Sequence, residues 1–132
     1  MFTLRSIMTK EVLTVKPDTS VYEAANILVN KQISGLPVTD NDNRLLGIIS
    51  EKDILRLLID KDLPGDPKVS DFMSKDVKSF TPDDSAVAVC EFLLSKPFRR
   101  VPVIEEDRLV GIVSRRDVLG LILRIRGRET AG

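Results

Sequence analysis

The chain contains no histidine, no tryptophan, one cysteine and one tyrosine in 132 residues. Without histidine it lacks the side chain that most often serves as a general base near neutral pH and as a metal ligand. One cysteine forbids an intrachain disulfide. Cys90 recurs at helical spacing with Ala86, Val89 and Leu93, where it reads as a small core hydrophobe. Together these absences argue against hydrolytic, metal-dependent and thiol chemistry, and the chain reads as a protein that is not an enzyme. Excess charge is missing too: 20 basic residues balance 20 acidic ones, which gives no electrostatic footprint for nucleic acid or a membrane surface. Scarce aromatics argue against a platform for stacking bases. Apolar runs such as Val118–Leu123 fall far short of the roughly 20 residues of a membrane span. The first residues carry no apolar signal core. A soluble, cytoplasmic protein is expected.

What the sequence does have is a duplication. With one gap opposite Asn43, residues 7–58 lie over residues 72–122 with about nineteen of about fifty positions identical, far above chance. Met8, Lys10 and Val12 meet Met73, Lys75 and Val77. Pro17-Asp18 meets Pro82-Asp83, and Pro37-Val38 meets Pro102-Val103. Leu45, Gly47, Ile48, Ser50 and Asp53 meet Leu109, Gly111, Ile112, Ser114 and Asp117. Each copy is too small to bury its own apolar face, so the copies are expected to pack together.

Within each copy the hydrophobic period changes in step. Leu13-Thr14-Val15 and Lys78-Ser79-Phe80 are short extended segments stopped by proline. Ser20 opens a helix, with Glu23 placed for a capping box, and Val21, Ala24, Ala25 and Leu28 recur on one face. Two β-runs follow, Leu36–Thr39 and Leu45–Ser50, and their counterparts are Val101–Ile104 and Leu109–Ser114. A second helix closes each copy, from Asp53 to about Ile59 and from Asp117 to about Arg126. This divides the chain into a first repeat over 1–61, a linker over 62–70 rich in turn residues, a second repeat over 71–126 and a tail over 127–132. Arg124, Arg126 and Arg128 make the end locally basic.

The Met-Thr-Lys start, the Thr-Val-x-Pro strand end, Gly-Leu-Pro-Val, and the Gly-Ile-hydrophobic-Ser-x-x-Asp close resemble the CBS domain, and the resemblance occurs again at matching positions of the second copy. Two such repeats in tandem resemble the Bateman module, here as a stand-alone CBS protein, and the resemblance runs from about Leu4 to Leu123. It implies an α/β (α+β) fold of two βαββα repeats around a pseudo-twofold axis, each with a three-stranded sheet and two helices. It also implies binding of an adenosine-type ligand (AMP, ADP, ATP or S-adenosylmethionine) in clefts between the repeats.

Ser50-Glu51-Lys52-Asp53 and Ser114-Arg115-Arg116-Asp117 stand where strand passes into helix. Ser-x-x-Asp there can be a capping box and nothing more, worth about 0.5–2 kcal/mol. The same geometry also offers free amides and a partial positive charge to an anion, and a carboxylate to a pair of ribose hydroxyls. The resemblance implies that Asp53 and Asp117 grip ribose and that Ser50 and Ser114 touch phosphate or ribose. Arg115 and Arg116 sit in a first helical turn, where cations are disfavoured unless an anion joins them; solvent exposure is the alternative. Arg99 and Arg100 precede Val101-Pro102 where the first copy has Ser34-Gly35, and the resemblance makes them phosphate ligands. It further implies an adenine slot made by Thr9, Lys10 and Val12 with Ile33, Ser34 and Gly35 facing Asp117, and by Ser74, Lys75 and Val77 with Phe98 facing Asp53. Gly47 and Gly111, inside β-runs, imply close approach of other backbone.

The expectation is a nucleotide-sensing regulatory module whose output passes through self-association or an unidentified effector protein; the alternative is a dimerisation scaffold without ligand. The helices after Asp53 and Asp117 carry Ile54, Leu55, Leu57 and Leu58, and Val118, Leu119, Leu121 and Ile122. That is more apolar surface than a small module buries, so a homodimer is expected on either reading.

Overall fold

The computed structural model describes residues 2–60 and 65–127. The last residue of the expected first repeat, 61, the start of the expected linker, 62–64, and the end of the tail with Arg128 lie outside them. The chain divides into a mid-chain unit, Leu13–Val77, and a terminal unit formed by residues 2–12 together with 78–127.

In the mid-chain unit, helix α1 (Val21–Lys31) is followed by β1 (Gly35–Thr39), β2 (Leu45–Ser50) and α2 (Glu51–Leu55). A 3-10 turn, Arg56–Leu58, continues α2, and a single helical turn α3 (Val69–Phe72) comes later. The terminal unit repeats the plan with α4 (Ala86–Ser95), β3 (Arg100–Glu105), β4 (Arg108–Ser114) and α5 (Arg115–Ile125), preceded by a 3-10 turn at Leu4–Ser6. The closing helices therefore start two residues before the expected aspartates. The first of them gives way to 3-10 geometry after Leu55.

The three-stranded sheets expected from the sequence are not formed. Each unit has a two-stranded antiparallel sheet, β1 with β2 and β3 with β4. The reason lies in the residues after Val15 and Phe80. Val15 donates to Pro37 O at 3.1 Å and accepts from Thr39 N at 2.9 Å, a single parallel bridge. The next amide, Lys16 N, is captured by Thr19 Oγ1 at 3.0 Å, and Pro17 has no N–H to offer, so pairing stops after one residue. Phe80 bridges β3 in the same way, and Asp84 Oδ2 takes the following amide of Thr81 at 2.7 Å.

On the other edge of each hairpin, residues distant in sequence make one antiparallel bridge. Ser74 exchanges two backbone bonds with Ile48, at 2.8 and 2.9 Å, and Thr9 does the same with Ile112. These crossings explain Gly47 and Gly111. A Cβ on Gly47 would stand 2.5 Å from Ser74 O, and one on Gly111 would stand 2.8 Å from Met8 Sδ and 3.1 Å from Thr9 O.

The expected helix faces are the buried ones. Val21, Ala24 and Leu28 of α1 pack with Leu36, Val38 and Ile49 of the hairpin and with Val69 and Phe72 of α3. Ala86, Val89 and Leu93 of α4 pack with Val101, Val103 and Val113, with Val118 and Leu121 of α5, and with Leu4 and Ile7 from the chain start. Cys90 and Ala25 are half-buried at the margins rather than in the core. Ser20 caps α1 by accepting the Tyr22 amide at 3.2 Å, without the Glu23 half of the anticipated box.

The apolar excess of the closing helices remains at the surface. Leu55, Leu58 and Ile59 are exposed, as are Leu119, Ile122, Leu123 and Ile125. Among the described residues, no helix is long and apolar enough to cross a membrane.

Candidate functional site

Each unit has one strand-to-helix corner, and the two are built alike. Antiparallel register sets Gly35 opposite Ser50 and Arg100 opposite Ser114. The first helical amide then bonds back across the hairpin: Glu51 N to Ser34 O at 2.9 Å, and Arg115 N to Arg99 O at 3.0 Å. Residues 34–35 and 99–100 are thereby fixed beside Ser50 and Ser114.

Both corners close as full capping boxes. Asp53 Oδ2 accepts Ser50 N at 2.8 Å and Ser50 Oγ at 3.0 Å, while Ser50 Oγ accepts Asp53 N at 3.4 Å. Asp117 Oδ2 accepts Ser114 N at 2.8 Å and Ser114 Oγ at 3.1 Å, and Ser114 Oγ accepts Asp117 N at 3.2 Å. The cap consumes only one oxygen of each acid, since Oδ2 takes both bonds and fills its two lone-pair directions. Oδ1 of Asp53 has no hydrogen-bond partner among the described residues. Oδ1 of Asp117 has a single long contact, Thr9 Oγ1 at 3.5 Å, near the limit of a hydrogen bond. Both aspartates are half-buried and half-open to solvent.

The segments crossing the hairpins complete each corner. Thr9, Lys10 and Val12 belong to the terminal unit with Ser114 and Asp117; Ser74, Lys75 and Val77 belong to the mid-chain unit with Ser50 and Asp53. Of the remaining adenine-slot candidates, Ile33, Ser34 and Gly35 lie in the mid-chain unit and Phe98 in the terminal one. Phe98 is exposed and stacks on Phe92, with ring centroids 5.9 Å apart and planes 7° apart.

The corners differ in charge. Arg99, Arg115 and Arg116 are exposed and Arg100 is half-buried. None of the four pairs with a carboxylate among the described residues, and Arg100 Nε is buried with no hydrogen-bond partner. At the other corner stand Ser34, Gly35, Glu51 and Lys52. The spacing of the sequence could not show Arg100 Nε as an orphan donor, because that depends on what packs around it. Among the described residues, no group of three or more histidine, cysteine or acidic side chains is placed to hold a metal.

Two copies of a hairpin closed by a capped helix, each crossed by a segment from elsewhere in the chain, define a duplicated α/β module. The CBS-domain profile matches residues 4–60 and 69–124, and the chain belongs to the CBS-domain family as a tandem pair. The matched module is a regulatory fold rather than a catalytic one. MJ1225, an uncharacterised protein of Methanocaldococcus jannaschii, is 33% identical over 90% of this chain, which spans 42% of that protein's length. Among solved structures, CBSX2 of Arabidopsis thaliana in complex with AMP is 32% identical with a TM-score of 0.84, covering 96% of this chain and 99% of that one. The CBS pair of MJ0100, in complex with 5′-methylthioadenosine and S-adenosylmethionine, is 27% identical with a TM-score of 0.79, over 98% and 99% of the two chains.

Proposed function

We propose that this CBS pair is a regulatory module that binds adenosine derivatives at its strand-to-helix corners. The observation that carries the reading is the division of labour within each acid. Oδ2 of Asp53 and Asp117 holds the helix cap, and Oδ1 remains an ionised acceptor on a preorganised corner, suited to a ribose hydroxyl. The likeness to an AMP-bound protein and to one bound to methylthioadenosine and S-adenosylmethionine supports the same class of ligand.

In this reading Asp53 and Asp117 take ribose, Ser50 and Ser114 add contacts to ribose or phosphate, and Arg99, Arg100, Arg115 and Arg116 meet phosphate. The crossing segments, Thr9–Val12 and Ser74–Val77, with Ile33–Gly35 and Phe98, supply the adenine surface. The output passes through association, because the exposed Leu119, Ile122, Leu123 and Ile125 on α5 form an apolar stripe suited to a second copy of the chain or to an effector. A cytoplasmic setting, where such nucleotides are present, fits this role.

Calorimetric titration of AMP, ADP, ATP and S-adenosylmethionine tests the proposal. At least one is expected to bind, and Asp117→Ala or Asp53→Ala is expected to weaken it by about tenfold or more, the value of a lost charge-assisted hydrogen bond. Absence of binding by all four at about 1 mM, roughly −4 kcal/mol of affinity, leaves only the dimerisation scaffold.

A further inference from the structure

We infer that Met8 and Met73 are a pair of reversible oxidation sites, whose thioethers take oxygen from a peroxide and thereby loosen the two crossing segments. The inference stands on the crossings themselves and holds with or without a ligand at the corners.

Each crossing is one bridge long. Thr9 exchanges backbone bonds with Ile112 at 2.8 and 2.9 Å, and Ser74 does so with Ile48 at 2.8 and 2.9 Å. A bridge with no ladder on either side opens readily unless side chains hold it. The side chain placed to do this is the methionine that precedes each bridge. Met8 packs against the core of the terminal unit and Met73 against that of the mid-chain unit. Their thioethers fill the space that a glycine leaves empty. A Cβ on Gly111 would lie 2.8 Å from Met8 Sδ and 3.1 Å from Met8 Cγ, and one on Gly47 would lie 3.2 and 3.4 Å from the same atoms of Met73. The duplication thus kept, as a set, the methionine, the glycine against its sulfur and the bridge beside them.

Two properties make these sulfurs oxidation sites rather than plain filler. Both methionines are half-buried, so a small oxidant reaches them. The second property is that the notch takes a sulfide but not a sulfoxide. Besides the thioether, the nearest atom from elsewhere in the chain is a carbonyl oxygen, Thr9 O at 3.1 Å and Ser74 O at 2.5 Å. That oxygen is an acceptor already bound to the amide of Ile112 or Ile48. A sulfoxide oxygen is an acceptor too, so the two repel and the polar group has to turn out to water. The glycine is then uncovered, and the bridge loses its packing. In the transfer the sulfur lone pair attacks one peroxide oxygen, the O–O bond breaks and an S–O bond forms. Sulfur gives up two electrons, and the rest of the peroxide leaves as water or an alcohol. A methionine sulfoxide reductase reverses the step with two thiols, which become a disulfide as the oxygen departs as water. At the terminal corner the loosened segment carries Thr9, whose hydroxyl meets Asp117 Oδ1 at 3.5 Å.

The test treats the intact chain with hydrogen peroxide and follows peptide masses, hydrogen exchange and thermal melting. Met8 and Met73 are each expected to gain one oxygen. The amides of Ile112 and Ile48 are expected to lose exchange protection by about tenfold or more, and the melting midpoint to fall by about 4 °C or more. M8L/M73L, a swap of similar volume, is expected to resist peroxide while it keeps Cys90 as an oxidisable thiol. Peroxide that consumes added free methionine yet spares Met8 and Met73 overturns the inference. So does oxidation of both with exchange and melting unchanged, or an M8L/M73L protein that peroxide destabilises as much as wild type. If M8L/M73L does not fold, repair of the oxidised wild type decides. Recovery of the midpoint with methionine sulfoxide reductases, and not with thiol alone, supports the inference; no recovery, or recovery with thiol alone, overturns it.

Discussion

Gly47 and Gly111 occupy equivalent strand positions, yet a methyl group added at each meets different matter. At Gly47 the obstacle is backbone, with Ser74 O at 2.5 Å, and that carbonyl is bound to Ile48 N at 2.9 Å. Relief requires breaking the bridge that holds residues 73–77 to the hairpin. At Gly111 the nearest atom is the end of a flexible methionine, Met8 Sδ at 2.8 Å, with Thr9 O next at 3.1 Å. Gly47→Ala is therefore expected to cost about 2–3 kcal/mol, as overpacking of a well-filled site does, and Gly111→Ala about 1 kcal/mol less. Urea denaturation of the two variants ranks them, and the reverse order would mean that the crossing at Thr9 is the more rigid one. The sequence marked both glycines as places of close approach. It could not say what approaches, because the partners lie 27 and 102 residues away along the chain, where no local period connects them.

At the level of elements, the two hairpins solve the same turn differently. In the first, Asp40 Oδ1 accepts the amides of Asp42 and Arg44, each at 2.9 Å, and Asn43 takes a left-handed φ of 64°. Those amides, Arg44 foremost, hold the Asp40 carboxyl below its ordinary range. In the second, one residue shorter, Glu106 and Asp107 carry φ values of 52° and 67° between the paired Glu105 and Arg108. A two-residue loop with both centres left-handed is the type I′ geometry, for which Asn-Gly is the preferred pair and glutamate a poor one. The double change Glu106→Asn and Asp107→Gly is expected to stabilise the protein by about 1 kcal/mol, the left-handed cost removed less the entropy of the added glycine. Thermal melting checks it, and a lower midpoint would show that Glu106 or Asp107 holds something the turn geometry does not reveal. Such elements were legible in the sequence because their signals are local: Pro37-Val38 and Gly47-Ile48 flank polar turns, and α1 and α4 repeat one apolar face. The third strand of each sheet was not, because Leu13-Thr14-Val15 has the composition of a strand while Thr19 and Pro17 end its pairing after one bond. The corners stood between these cases. Ser-x-x-Asp announced the caps, but only the geometry shows that each aspartate spends one oxygen and keeps the other.

For the whole molecule, the order of the chain and the order of packing disagree. Residues 2–12 open the first repeat in sequence, yet they fold with the second. Leu4 N and Arg5 N donate to Asp84 O and Pro82 O at 3.0 and 2.9 Å, and Arg5 forms ion pairs with Asp83 and Glu105. Leu4 is fully buried in the core that contains Val89, Val101 and Val113. The ion pairs are exposed and contribute little, so the attachment depends on Leu4 and Ile7. Leu4→Ala removes most of a buried side chain and is expected to cost about 2–5 kcal/mol. What distinguishes packing order from chain order is where that loss is felt. Hydrogen exchange should lose protection in β3, β4 and α4, some 80 residues or more from the substitution, while α1, β1 and β2, nearer in sequence, keep theirs. Equal loss in both units would mean that they open as one cooperative body, and loss confined to α1 and β1 would contradict the assignment of the chain start to the terminal unit. The same logic reaches the ligand. Thr9, which among the described residues is the one side chain that hydrogen-bonds Asp117 Oδ1, is delivered by this segment, so Leu4→Ala should weaken a ligand held at Asp117 more than one held at Asp53.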